Sequence, residues 1–395
     1  MSKASGIVIV GGGLAGSRTA EQLRKSGYRE PIVIVGDEAH LPYDRPPLSK
    51  EVLSDPAKGL PDVLLRPVEF YEENDIAVVL GVAAESLDPA ARTVALADGT
   101  VLDYDEVVIA TGLEPRRIPS FPDLDGIAVL RSYDDAMALR ERAVAAGRAV
   151  VVGAGFIGCE VAASLRSLGV AVTLVEPQPA PLAGVLGERI GELVARVHRA
   201  EGVDVRTGVG VAEVRGSDGR VSEVRLSDDS LLPADLVVVG IGSRPATDWL
   251  VGSGVALDNG VVCDEVGRAS EEHVWALGDV ASWRDAVGHQ IRVEHWSNVG
   301  DQARVMVPAM LGQEPPAVVA VPYFWSDQYD VKIQCLGEPA PGDVVHVVED
   351  DGRRFLAYFE RDGVLSGVVG GGMPGKVMKT RAKVAARAPI GEVLG

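Results

Sequence analysis

One glycine pattern occurs twice in this chain, and it restricts the possible folds more than any other feature. The first copy is Gly11, Gly13 and Gly16, directly after the apolar run Ile7-Val8-Ile9-Val10. The second copy is Gly153, Gly155 and Gly158, after the apolar stretch 149–152. Short β-branched runs bounded by glycine read as buried strands of a parallel sheet. Helical spacing follows each copy, to about Ser26 and to about Leu168, and a further apolar strand closes each unit, at 32–35 and at 170–175. The spacing has a mechanical meaning. The first glycine makes the turn, the second lets a pyrophosphate approach backbone N–H groups, and the third allows close helix–sheet packing. The helix N-terminus adds about half a positive charge facing the anion.

An acid follows each copy. Asp37 comes after Gly16 and Glu176 after Gly158, each at the separation of about 20 residues that the dinucleotide-binding pattern requires. A carboxylate at this place accepts hydrogen bonds from ribose hydroxyls. Glu176 also repels a 2′-phosphate, by on the order of 4 kcal/mol at ~4 Å and an effective dielectric of ~20. No arginine stands at 177–182 to offset that, so NADH is expected over NADPH. Two such units predict an α/β chain with two Rossmann-like dinucleotide-binding domains. The Gly- and Pro-containing segments 110–119 and 240–249 read as the crossings between them. From about Val321 the pattern changes to aromatic-containing strands and a basic helical end at 376–387, a small C-terminal α+β domain. The expected boundaries are 1–112 with 243–320 for the first domain, 113–242 for the second and 321–395 for the third.

Charge and cysteine content exclude other classes. The formal charge is −19, and a field of that sign repels phosphate backbones and anionic membranes, so neither nucleic acid nor membrane is an expected partner. No apolar run approaches the roughly 20 residues that cross a bilayer. The N-terminus has no secretory pattern, and a cytoplasmic location is expected. Cys159, Cys263 and Cys335 are far apart, with no C-x-x-C pair, which argues against a disulfide scaffold, a zinc ribbon or a redox dithiol. The six histidines show no ligand spacing; each reads as structural or solvated, with His295 beside Trp296 the one candidate to line a cofactor site, and no metal is expected.

Two further motifs remain. The run WALGDVA, 275–281, places Asp279 after a short apolar strand, where its carboxylate can meet the polyol chain of a flavin. The segment 41–53, LPYDRPPLSKEVL, holds three prolines within six residues and reads as a stiff, non-helical loop. Ser49 is expected to cap a helix starting near Lys50, and Arg45 and Lys50 are cations close to the first phosphate site.

Together IVGGGLAG, YDRPPLSK, ATGLEPR, VVGAGFIGCEVA, GIGSRP, WALGDVA, RVEHWSN and YFWSDQYD resemble the FAD-dependent ferredoxin reductases of bacterial oxygenase systems. The resemblance covers nearly the whole chain in order. It implies the glutathione reductase-like fold, with FAD in the first domain, NADH in the second and the C-terminal domain over the flavin face. By the same resemblance Ala15, Asp37, Arg45, Lys50, Val82, Arg131 and Asp279 match FAD-contact positions. Trp296 matches a residue packed near the ring, and Trp325, Asp327 and Gln328 match a C-terminal segment near it. Glu160 matches the acid that relatives pair with the lysine equivalent to Lys50, close to the hydride-accepting nitrogen. Glu176 matches the NADH ribose acid.

Disulfide reductases of this fold carry a cysteine pair near the segment matching 42–50, and its peroxidases and water-forming oxidases keep one cysteine there; this chain has none. Electrons are therefore expected to leave from the flavin edge, one at a time, to an iron–sulfur ferredoxin that supplies an oxygenase, with a cytochrome monooxygenase the expected final acceptor. Ferredoxins are usually acidic, so docking is expected at local basic segments: Arg116-Arg117, Arg304 and 376–387. A monomer or weak dimer is expected. Two other readings use the same flavin: an NADH oxidase or quinone reductase, marked by turnover without ferredoxin, and a slow signalling flavoprotein resembling apoptosis-inducing factor, marked by a long-lived charge-transfer complex.

Overall fold

The computed structural model describes residues 6–317 and 321–394. Contacts group the chain into two compact units. The first comprises residues 1–44, 60–114 and 243–320; the second comprises 45–59, 115–242 and 321–395.

The first unit is built on a five-stranded parallel sheet in the order Val274–Ala276, Glu106–Ile109, Ile7–Val10, Ile32–Val35, Ile76–Val79. Its central strand Ile7–Val10 is buried along its length, as is Glu106–Ile109 after its first residue, which is why they read as apolar runs and not as an alternation. One face is packed by the Leu14–Lys25 helix, whose Ala20 and Leu23 are fully buried, and by the Trp296–Met310 helix. A three-stranded antiparallel sheet, Ala84–Asp88, Thr93–Leu96 and Val101–Asp103, is inserted before the fourth strand in chain order.

The second unit repeats this plan: Asp204–Thr207, Ala171–Glu176, Arg148–Val152, Leu236–Val239 and Ile127–Ala128, all parallel, again with a three-stranded antiparallel insertion. One strand departs from the repeat. The edge strand beside Leu236–Val239 comes from earlier in the chain, whereas its counterpart in the first unit comes from later.

Two segments join the second unit. Residues 321–394 form a five-stranded antiparallel sheet, Tyr323–Gln328, Val331–Gly337, Val364–Gly371, Phe355–Arg361, Val344–Asp350, followed by the short helices Pro374–Lys379 and Arg381–Ala385. This sheet has a small core of its own around Leu336, Leu356 and Leu365. Its other face, with Ile333, Phe355 and Phe359, enters the same apolar cluster as Val151, Leu174 and Ile190 of the nucleotide-binding part. The other segment is 45–59. Pro46–Ser49 form one 3-10 turn and Glu51–Ser54 a short helix. This corrects the expectation of a non-helical loop. The proline ring fixes φ in a range that a 3-10 turn and an extended chain share. The segment is held by Arg140, whose Nη1 donates to the carbonyls of Val52, Asp55 and Lys58 at 3.1, 3.1 and 2.9 Å. Ser164 also donates to the Ser49 carbonyl at 2.7 Å.

Candidate functional site

The two glycine loops have the same construction. Gly11 and Gly153 both adopt positive φ, +130° and +95°, a conformation that L side chains rarely adopt. A Cβ at either would stand 2.1 Å from the Ala110 carbonyl oxygen or 2.4 Å from that of Gly240. A Cβ at Gly16 or Gly158 would collide with the carbonyl oxygen of Gly11 or Gly153, at 2.1 and 1.9 Å. The middle glycines are the opposite case: a Cβ at Gly13 or Gly155 would meet nothing within 4 Å. Space is therefore kept open where a pyrophosphate must approach.

Gly13 and Gly155 are also the N-caps of the helices Leu14–Lys25 and Phe156–Ser167. Neither helix start has a side-chain cap or an acid in its first turn. The Tyr133–Ala145 helix closes its own start with a Ser132–Asp135 capping box and two acids. Helix starts that leave their N–H groups and dipole uncompensated are suited to an anion.

Of the remaining first-unit candidates, Ala15 and Asp279 lie at the Gly11–Gly16 loop. Ala15 is buried, and a Cβ at Gly278 would stand 3.0 Å from its own, so the Gly278–Val280 turn carrying Asp279 packs on the helix start. Asp37 is exposed just past the Ile32–Val35 strand, and the Val82 N–H donates to the Gly36 carbonyl at 3.1 Å, beside it. Trp296 is 38% exposed and donates from Nε1 to Asp44 at 2.7 Å.

In the second unit the Glu176 carboxylate accepts from the Ala154 N–H at 2.7 Å and the Gln178 N–H at 3.0 Å. Arg45 donates to the Arg131 carbonyl at 2.9 Å. Trp325 stacks on Tyr323, with centroids 5.8 Å apart, and Asp327 pairs with Lys332 at 3.4 Å. The structure pairs Lys50 with Glu160: Nζ lies 2.8 Å from Oε2, with side chains 12% and 3% exposed. Lys50 also donates to the Pro46 carbonyl at 2.9 Å. Ser49 makes no helix cap, which corrects the expectation. Its hydroxyl donates to Glu160 Oε2 at 2.5 Å. Ser326, which sequence reasoning passed over, donates to Glu160 Oε1 at 2.7 Å. Ser326 and Gln328 are the fully buried side chains of the Tyr323–Gln328 strand, and no signal in the sequence marked Ser326 as one of them.

Cys159, Cys263 and Cys335 are free and buried. Burial pushes all three thiols up, that of Cys263 to about 12, so none is a ready thiolate nucleophile. Among the described residues no group of three or more His, Cys, Asp or Glu could hold a metal ion, and no helix is long and apolar enough to cross a membrane.

Residues 5–303 match the model of the pyridine nucleotide-disulphide oxidoreductases, and residues 323–393 that of the reductase C-terminal domain. The chain belongs to the pyridine nucleotide-disulphide oxidoreductase family. This family of FAD-dependent oxidoreductases binds FAD and NAD(P)H, and the two open, uncapped glycine cradles fit two such dinucleotides. A ferredoxin–NAD(P)(+) reductase of Sphingomonas sp is 41% identical over 90% of this chain and 87% of its own length. The fold matches that of a ferredoxin reductase from Rhodopseudomonas palustris with a TM-score of 0.93, at 33% identity, covering 98% of this chain and 96% of that one. It matches the covalent putidaredoxin reductase–putidaredoxin complex equally, with a TM-score of 0.93, at 31% identity, covering 100% of this chain and 96% of that one. The pyridine nucleotide-disulphide oxidoreductase fold is thus shared along nearly the whole chain, C-terminal sheet included.

Proposed function

We propose that the chain is an NADH:ferredoxin oxidoreductase of an oxygenase system. Residues 1–112 and 243–320 form the FAD domain, 113–242 the NADH domain and 321–395 the C-terminal domain. The observation that carries this reading is the pair of open cradles combined with a largely buried Lys50–Glu160 ion pair and, among the described residues, no accessible thiol. Relatives named as ferredoxin reductases favour it over an oxidase or a signalling flavoprotein.

Gly11, Gly13, Ala15, Gly16, Asp37, Val82, Asp279 and Trp296 would hold FAD, together with Arg45, Lys50, Arg131 and Trp325. Gly153, Gly155, Gly158 and Glu176 would hold NADH. Bound FAD supplies the conversion of a two-electron donor into single-electron delivery, which nicotinamide alone cannot perform. The chain's own residues bind and orient. The glycine loops fix both pyrophosphates, and orientation of donor against acceptor at about 3–3.5 Å is the main contribution expected of the protein. Lys50, held by Glu160 and the Pro46 carbonyl, places a positive charge that favours electron density on the reduced cofactor. The acceptor is an iron–sulfur ferredoxin bound at basic patches, Arg304 among them. We place the protein in the cytoplasm as a monomer or weak dimer.

Stopped-flow mixing tests this reading. NADH should bleach the flavin faster than NADPH does, and a candidate ferredoxin should restore the colour. Flavin reoxidised by oxygen or quinone but untouched by ferredoxins would overturn it.

A further inference from the structure

The Lys50–Glu160 pair is one end of a longer buried chain of side chains. Glu160 Oε1 accepts from the Ser326 hydroxyl at 2.7 Å. Ser326 Oγ accepts from Gln328 Nε2 at 3.1 Å. Gln328 Oε1 lies 3.0 Å from His198 Nε2, and His198 Nδ1 lies 2.9 Å from the Tyr329 hydroxyl. Glu160, Ser326, Gln328 and His198 are at most 2% exposed. The members come from three elements: the Phe156–Ser167 helix, the Ala183–Ala200 helix and the Tyr323–Gln328 strand with its turn.

Between Glu160 and His198 the chain has one internally consistent polarity. A carboxylate accepts and cannot donate. The Ser326 proton must therefore point at Glu160, which leaves Ser326 Oγ to accept from the Gln328 amide nitrogen. That orientation turns Gln328 Oε1 toward His198, which must carry its proton on Nε2. From His198 onward every donor therefore points toward Glu160. Burial keeps the ring neutral, since it pushes the His198 imidazole down to about 4, and the neutral Nε2–H ring accepts at Nδ1 from the Tyr329 hydroxyl.

We propose that Ser326, Gln328 and His198 are positioning residues that hold the Glu160 carboxylate, and through it the Lys50 ammonium. This rests on the reading above that Lys50 acts on the flavin. The Tyr323–Gln328 strand then has two jobs on its two faces. Ser326 and Gln328 face the buried chain, while Trp325 and Asp327 alternate with them. Bonds to a charged group are the ones whose loss is felt most, and Ser326 is the member of this chain that donates directly to Glu160 from outside the 45–59 segment.

Ser326→Ala tests the proposal. FAD content and the NADH dissociation constant should stay within about twofold. Flavin reduction by NADH should slow by about tenfold, and the flavin reduction potential should become more negative. Ser326→Cys, which keeps a weak donor of similar shape, should recover part of both. Gln328→Met should move both in the same direction, by less. A packing role alone would lower the melting temperature and leave the potential in place. Lys50→Met is the control. If it shifts the potential while Ser326→Ala does not, the positioning chain is wrong and the flavin role of Lys50 stands. If neither shifts it, that role falls, and the proposal falls with it. A flavin-independent readout is ¹⁵N NMR of histidine-labelled protein without cofactor. His198 should carry its proton on Nε2 near pH 7, and a neutral Nδ1–H ring would overturn the proposed polarity.

Discussion

In the first unit the strand pair runs Val10 beside Val35, and in the second Val152 beside Val175. The next residue is Gly36 in one and Glu176 in the other. Gly36 faces Gly12 so closely that a Cβ on either would come within 3.4 Å of the other's Cα. Backbone fills that place, and the acid is displaced one position to the exposed Asp37. In the second unit Ala154 stands where Gly12 does, and the Glu176 side chain reaches back to its N–H. Two backbone N–H bonds therefore orient Glu176 before any ligand arrives. The same glycine spacing thus carries a preset acid in one cradle and a peripheral one in the other. Selectivity between nucleotides should reside mainly in the second.

The largest effect should come from the open glycines. Valine at either is compatible with the backbone, since φ is −101° at Gly13 and −72° at Gly155, but it fills the pyrophosphate space. Gly13→Val should give folded, colourless protein. Gly155→Val should keep its yellow cofactor and weaken NADH by about 100-fold or more, roughly the loss of a charge-assisted bond pair. Absorbance spectra and NADH titration separate the two. If both variants lose FAD equally, the cradles do not have separate tenants.

Next come the acids. Glu176→Gln should weaken NADH by about tenfold and narrow its lead over NADPH, whereas Asp37→Asn should change FAD retention by less than about threefold. Dissociation constants for both nicotinamides check this, and equal effects at the two acids would make the preset and the peripheral carboxylate equivalent.

A third difference is acid sensitivity. Burial holds the folded pKa of His198 at about 4, below its ordinary 6.5. Between those values the unfolded chain binds the proton and the folded one does not. Stability present above about pH 6.5 is therefore lost as pH falls toward about 4. His295 in the first unit is also pushed down by burial and acts with the same sign. The test is thus a difference: denaturation curves of His198→Gln should lose up to one proton of this dependence relative to the parent.

The smallest effect concerns docking. Arg304 is exposed and paired with Asp301 on its own helix. Exposed pairs contribute little, ~0–1 kcal/mol. Arg304→Glu should raise the apparent Michaelis constant for ferredoxin by about two- to fivefold and leave NADH-to-ferricyanide turnover unchanged. Equal changes in both assays would remove Arg304 from the docking surface.

Both cradles were legible because their requirements are local. Gly11, Gly13 and Gly16 answer to a turn, a phosphate and a helix within six residues, and the β-branched runs before them must be buried strands. Of the polar chain behind Lys50 the resemblance gave only the Lys50–Glu160 pair; the parts played by Ser49, Ser326 and His198 were not legible. Its bonds join residues 111 and 166 positions apart, Ser49 to Glu160 and Glu160 to Ser326, and no periodicity reports such pairings. Ser49 shows the failure most clearly. Its place before a short helix fitted a cap, yet the helix begins at Glu51 with Lys50 at the N-cap, and the Ser49 hydroxyl donates to Glu160. The grouping of 45–59 with the second unit was equally hidden, because it depends on Arg140 reaching three carbonyls across 82 to 88 residues.

Anaerobic titration tests the central claim most directly. Two dinucleotide cradles without a thiol relay should take up two electrons per flavin. About one NADH should bleach one FAD, and about two equivalents of a one-electron ferredoxin should restore the yellow colour. Uptake of four electrons per flavin, or a reduced flavin that ferredoxin leaves bleached, would contradict the account.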